Sequence, residues 1–270
     1  MNPTLYDKNQ ILSIRLSADG FSFSVVNSVE KDSFRYESLR IQPDISLTAN
    51  VKQCLAPNEL LQNTFKETNI LVDVLHYTTV PFELFEDEQA ETIYYHCCPK
   101  HPGEIILYNI LDRCNIVVLF AMEKSTYALL KELYPQARIF ASISPVVQHL
   151  ARKSRIGVHR KIYINFNRRK MDVLVFEHGR PLLVNTFPTQ GKGDCVYYAL
   201  NIWEKLHLSQ EHDELYLVGS HAIKEQVAEE LRAYIRSVSI IAPSAEFNRS
   251  VAASNSEIPY DLLTLLPNIF

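Results

Sequence analysis

The sequence predicts an α/β protein made of two copies of one unit, and three observations carry that prediction. Residues 161–189 read as three consecutive strands, 162–166, 171–177 and 182–187, joined by short polar turns at 167–170 and 178–181. A matching meander opens the chain: 11–17 sets Leu12, Ile14 and Leu16 on one face, 21–26 sets Phe21, Phe23 and Val25 on one face, and 34–41 follows. Each triplet then leads into a helix, a strand and another helix, and a shared order of elements outlasts sequence identity in a duplicated chain.

The rest of the chain fits that frame in order. Residues 1–10 are a polar lead-in. Segments 46–55 and 57–66 have helical spacing, the second with Pro57 in a first turn and Leu60, Leu61 and Phe65 on one face. Residues 70–75 form a short apolar strand buried on both sides. The acidic, amphipathic stretch 81–97 and the hairpin 104–111 and 115–122, turning at 112–114, read either as an inserted subdomain at 81–122 or as part of the first core. A helix at 125–133, a strand at 138–141 and a helix opened by Ser144 and Pro145 complete residues 1–155 as the first domain. In the second domain, 156–270, Asp194 is expected to cap a helix with Val196, Ala199, Leu200 and Trp203 in one apolar stripe. A strand at 214–218 ends at Gly219-Ser220, a helix at 222–235 presents Ile223, Val227, Leu231 and Tyr234, and 238–241 is the last strand. The Ser/Asn-rich 244–256 reads as a loop before a short terminal helix at 259–266.

Composition narrows the function. A net charge of -4 excludes a generally basic nucleic-acid coat, so no DNA binding is expected. No apolar run resembles a signal peptide or approaches the roughly 20 residues of a spanning helix, and five cysteines without a regular framework suit reduced thiols. The expectation is a cytoplasmic protein with no membrane contact. Only seven glycines are present, so the chain offers few places where backbone N–H groups approach a phosphate closely.

Three antiparallel strands followed by helix, strand, helix and strand is the order of the ribonuclease-H-like domain. Two in tandem resemble the actin-like ATPase superfamily, which includes sugar kinases and Hsp70 chaperones. More closely, the chain resembles an uncharacterised bacterial family, a domain of unknown function with an actin-like ATPase fold. The resemblance implies nucleotide binding between the two domains, through three places. The first hairpin of the superfamily carries Asp-x-Gly, and here Arg15 stands for the acid and Ser17 for the glycine. Arginine stays protonated and has no acceptor, so it serves neither as magnesium ligand nor as general base. The second hairpin normally offers an Asp and glycines, and here reads Asn165-Phe166-Asn167-Arg168-Arg169-Lys170. Bulky Phe166 obstructs close phosphate approach, although the cations of Arg168, Arg169 and Lys170 reach an anion with their side chains. The adenosine turn keeps one glycine, in Leu217-Val218-Gly219-Ser220.

Other candidates have plainer readings. Gly191-Lys192-Gly193-Asp194 lacks the upstream glycine and the magnesium-binding hydroxyl of a phosphate loop, and reads as a turn into a helix. His96-Cys97-Cys98 with His101 lacks zinc-knuckle spacing. Arg152, Lys153, Arg155, Arg160 and Lys161, with residues 168–170, make a basic run that either balances the acidic 83–91 stretch or contacts RNA.

The reading is a non-catalytic binding or scaffold protein, with no catalytic residue, metal or cofactor, and with a protein partner. One alternative is an atypical ATP-binding protein or ATPase using Arg168, Arg169, Lys170, Gly219 and Ser220 with ATP and magnesium, which an acid at Asp19, Asp73 or Asp172 would revive. The other is an RNA-associated accessory protein.

Overall fold

The computed structural model describes residues 9–27, 34–167, 170–220, 223–247 and 251–266, with Ser220 by its backbone alone. The chain divides into two compact units. One takes most of the chain up to Ser144, and the other residues 145–264 together with Leu111–Asn115.

The first unit runs β1 (Gln10–Ser17), β2 (Gly20–Asn27), β3 (Phe34–Leu39), α1 (Leu47–Leu55), β4 (Glu67–Val72), β5 (Tyr77–Pro81), α2 (Ala90–Cys97), β6 (Glu104–Leu111), β7 (Ile116–Glu123), α3 (Lys124–Leu133) and β8 (Arg138–Ala141). Its main sheet has the order β3-β2-β1-β4-β8, with β1–β2–β3 antiparallel and β4 and β8 parallel to β1. Lying between β2 and β4, β1 is buried on both faces, so Ser13, Arg15 and Ser17 are as hidden as Leu12, Ile14 and Leu16. A smaller sheet, β5-β7-β6, packs α2 on one face, where Ala90, Tyr94 and Cys98 meet Val117 and Leu119. It is fastened to β8 by Asn109, whose amide donates to Ile139 O at 2.9 Å and accepts from Ala141 N at 2.9 Å and Ser144 Oγ at 2.8 Å.

The helix α4 (Ile143–Ser154) leads into β9 (Lys161–Asn167), β10 (Lys170–Glu177), β11 (Arg180–Pro188), α5 (Lys192–Lys205), β12 (Glu214–Ser220), α6 (Lys224–Leu231) and β13 (Ser237–Ile240). Three short helices, α7 (Pro243–Glu246), α8 (Val251–Ser254) and α9 (Tyr260–Leu265), follow. The second sheet has the order β11-β10-β9-β12-β13, with the strand directions of the first. The duplication read from the sequence is therefore present: third, second, first, fourth, fifth in both. Ile162, Ile164, Met171, Val173, Leu215 and Leu217 bury the sheet face against Val196, Ala199 and Trp203 of α5 and Val227 and Leu231 of α6.

Four local expectations change. The helix expected at 57–66 is a single 3-10 turn, Glu59–Gln62, because the Asn58 side chain caps Leu60 N–H at 3.1 Å and Asn63 returns to extended backbone. Leu61 is buried there while Leu60 is exposed. Gly191 is the N-cap of α5, and Asp194 sits inside the first turn, reaching back to accept from Gln190 N at 2.7 Å. The helix expected to present Tyr234 ends at Leu231 and leaves that ring exposed. The stretch read as a loop at 244–256 contains α8 and most of α7.

Candidate functional site

In the first unit, Arg15, which the resemblance sets at the place of the superfamily's acid, lies in β1. The guanidinium is not free to meet a ligand: Nη2 lies 3.2 Å from Oδ2 of Asp73, just beyond β4, with side-chain exposures of 7% and 11%. Ser17 Oγ donates to the same Oδ2 at 3.1 Å and Ser142 Oγ to Oδ1 at 3.2 Å. The parallel register fixes this arrangement, because Leu16 pairs Val72 and Asp73 N donates to Leu16 O at 2.8 Å. Asp73, one of the carboxylates that would have revived a catalytic reading, is thus neutralised by Arg15. Asp19 lies in the β1–β2 turn, where its N–H donates to Ser17 Oγ at 3.3 Å.

In the second unit, Asn165 of β9 is 4% exposed and donates from Nδ2 to Asp172 Oδ2 at 2.9 Å. Thr186 Oγ1 donates to the other oxygen of Asp172 at 2.7 Å. Because the carboxylate needs donors, it fixes which way the Asn165 amide points, and Oδ1 is left buried without a hydrogen bond among the described residues. Beside it stands Gly219, at φ +81°, where a Cβ would collide with Phe166 O and come within 2.7 Å of Asn165 Oδ1. This glycine is required by close backbone approach. Phe166 is buried at 3%. Among the five sequence-predicted site residues, Lys170 opens β10 and Gly219 and Ser220 end β12. Arg168 and Arg169 lie outside the described residues.

A cavity of about 480 Å³ opens beside Gly219, lined also by Lys224, Ser244, Ser254, Ser256, Ile258 and Tyr260. Lys224 donates from Nζ to Gly219 O at 2.8 Å, and burial holds its amine below the ordinary 10.5 against the opposing pull of Glu225. Behind the cavity, Tyr260 OH donates to Glu246, 3.0 Å from each carboxylate oxygen. Burial first, then the Glu246 charge, holds that phenol well above its usual value. The Glu246 side chain is fully buried, with His149 Nε2 at 2.9 Å and Lys153 Nζ at 2.8 Å. Burial alone would raise its carboxyl, but the hydrogen bonds and charges of His149 and Lys153 bring it below 4.5. Sequence reasoning missed Lys224, Glu246 and Tyr260, which stand in no motif and come together only when α7, α8 and α9 fold back.

Several of the remaining candidates are held in packing or ion pairs, while Arg152 and Arg155 of the basic run are exposed. Lys192 of the glycine-flanked turn lies 2.6 Å from Glu230. Cys98 is buried against α2 while Cys97 and His96 are exposed, and among the described residues no group of three or more His, Cys, Asp or Glu is placed to hold a metal ion. In the basic run, Lys153 is held by Glu246, Arg160 by Asp213 and Lys161 by Glu214, at 2.8, 3.1 and 3.4 Å. Among the described residues no helix is long and apolar enough to cross a membrane.

Known proteins share this sequence pattern and this fold. A family model described as protein of unknown function (DUF3822) matches residues 2–238. The chain belongs to the DUF3822 family. This DUF3822 protein is 37% identical to a protein from Bacteroides thetaiotaomicron VPI-5482 with an actin-like ATPase fold and unknown function, over 98% of this chain and 99% of that one, at a TM-score of 0.84. It is also similar to the PilM-PilN type IV pilus biogenesis complex, with 12% identity over 88% of this chain and 90% of that one at TM-score 0.49. The ethanolamine utilization protein EutJ from Carboxydothermus hydrogenoformans is 11% identical, over 86% of this chain and 84% of that one, at TM-score 0.43. No curated protein matches the sequence. This DUF3822 member therefore has the actin-like ATPase fold expected from its duplicated meander, in a family of unknown function.

Proposed function

We propose that the protein is a non-catalytic, cytoplasmic binding or scaffold protein, built on an actin-like fold whose phosphate-handling positions no longer support phosphoryl transfer, and that its partner is another protein. The observation that carries this reading is Arg15 in the place of the magnesium-organising acid, closed by its ion pair with Asp73. Phosphoryl transfer depends almost wholly on positioning and on neutralising phosphate charge around bound magnesium. A cation locked onto the nearby carboxylate supplies neither. In the second unit, Phe166 and Asn167 stand where glycines would let backbone approach phosphate. The RNA reading loses support because Lys153, Arg160 and Lys161 already hold carboxylates.

The test is calorimetry of the purified protein with magnesium-ATP at millimolar nucleotide and low salt, beside an Arg168→Ala/Arg169→Ala variant and an assay of phosphate release. No saturable binding and no release are expected. One-to-one binding that disappears in the variant would overturn the reading and make the protein a nucleotide binder.

A further inference from the structure

Going beyond that reading, we propose that the cavity of the second unit binds a small organic anion, its carboxylate or phosphate held by Lys224 and its apolar part laid against Pro243, Ile258 and Leu263. A volume of about 480 Å³ is that of a small-molecule site. Its charge is one-sided: Lys224 is the one charged residue among the described lining residues. A cation between low-dielectric walls focuses its field into the space it faces.

Among the described lining residues no acid faces that charge within the cavity. Glu246, the buried carboxylate behind the wall, is already matched by His149 and Lys153 and accepts the Tyr260 hydroxyl, so Tyr260 brings no free acid to the site. Glu225, next along α6, acts on the amine only as the lesser influence after burial. An ammonium has three donors, and the Gly219 carbonyl takes one at 2.8 Å. Ser244, Ser254, Asn255 and Ser256 are polar residues of the same lining. An anion there would gain a charge-assisted hydrogen bond and restore the stability of the ammonium form, while Ile258 and Leu263, 4% and 1% exposed, line the apolar side.

The experiment uses three probes with one ring system, 2-naphthoate, 2-naphthyl phosphate and neutral 2-naphthamide, with adenosine as a nucleoside without charge. Each is titrated into the full chain at millimolar concentration, followed by calorimetry and by the NMR signal of the Lys224 ε-methylene. Saturable binding of the carboxylate or the phosphate is expected, at least about tenfold tighter than the amide, the worth of one charge-assisted bond. Whichever anion binds better identifies the source of the charge. Lys224→Gln should abolish binding, and Ala253→Phe, which fills the cavity and spares the amine, should abolish it too. Binding should weaken as pH rises toward 10.5, with the Lys224 signal titrating higher when the probe is bound. The proposal is overturned if naphthamide or adenosine binds as tightly as the anions, if Lys224→Gln retains binding, or if no probe binds. None of these outcomes depends on magnesium-ATP, so this site and the proposed loss of phosphoryl transfer fail separately.

Discussion

The two hairpins that open the two sheets occupy the same place in the same frame and carry different residues where the superfamily resemblance implies an acid. Ser17 pairs Gly20 in one and Asn167 pairs Lys170 in the other, so Arg15 and Asn165 are register equivalents, as are Val72 and Gly219 across the parallel pairing. In the first unit the replacement is a cation, and the carboxylate that answers it, Asp73, comes from the strand on the parallel side. In the second the replacement is a neutral amide, and the carboxylate, Asp172, comes from the antiparallel neighbour. A buried charge must find a partner wherever the sheet can supply one. The frame fixes the position, and the residue type decides which neighbour is recruited.

The largest test of that contrast is Asp73→Ala, which breaks the buried ion pair with Arg15 and should cost about 3–5 kcal/mol in urea unfolding. Gly219→Ala comes next, at about 2 kcal/mol or more, because a side chain is forced into left-handed backbone and onto the Phe166 carbonyl. Asp172→Asn should cost less than Asp73→Ala, about 1–2 kcal/mol, since Asn165 and Thr186, which donate to it, are neutral and an amide still accepts one bond. Equal losses at Asp73 and Asp172 would break the distinction between the units. The smallest effect is confined to acid pH. The folded-state carboxyl of Glu246 is held below 4.5, so its contribution is present above that value and lost as pH falls through the lower folded value. Glu246→Gln should flatten the acid limb of the stability curve.

Much of the fold was legible because it is written in periodicity. The meanders alternate apolar residues strongly enough to place both sheets, and the strand at Arg138–Ala141 is where the sequence puts it. β5, Tyr77–Pro81, was not legible, since none of its residues is buried and its place is set only by pairing with β7. At the site, Arg15, Asn165 and Gly219 stood out against a known pattern. Their partners Asp73 and Asp172 are 58 and 7 residues away, and pairing at such distances is a product of sheet register that no local motif announces. The cavity was hidden for the same reason, because its wall comes from a Ser/Asn-rich stretch whose local signal is that of a loop.

One side chain described above also covers part of a sheet edge. β8 is the terminal strand of the first sheet, and the Ile139 carbonyl and Ala141 N–H are spaced as a neighbouring strand's peptide group would meet them. The Asn109 amide occupies both, so a single residue acts as a decoy for a sixth strand. An unclaimed strand edge is a template for runaway pairing between molecules, and here one carboxamide claims two of its groups.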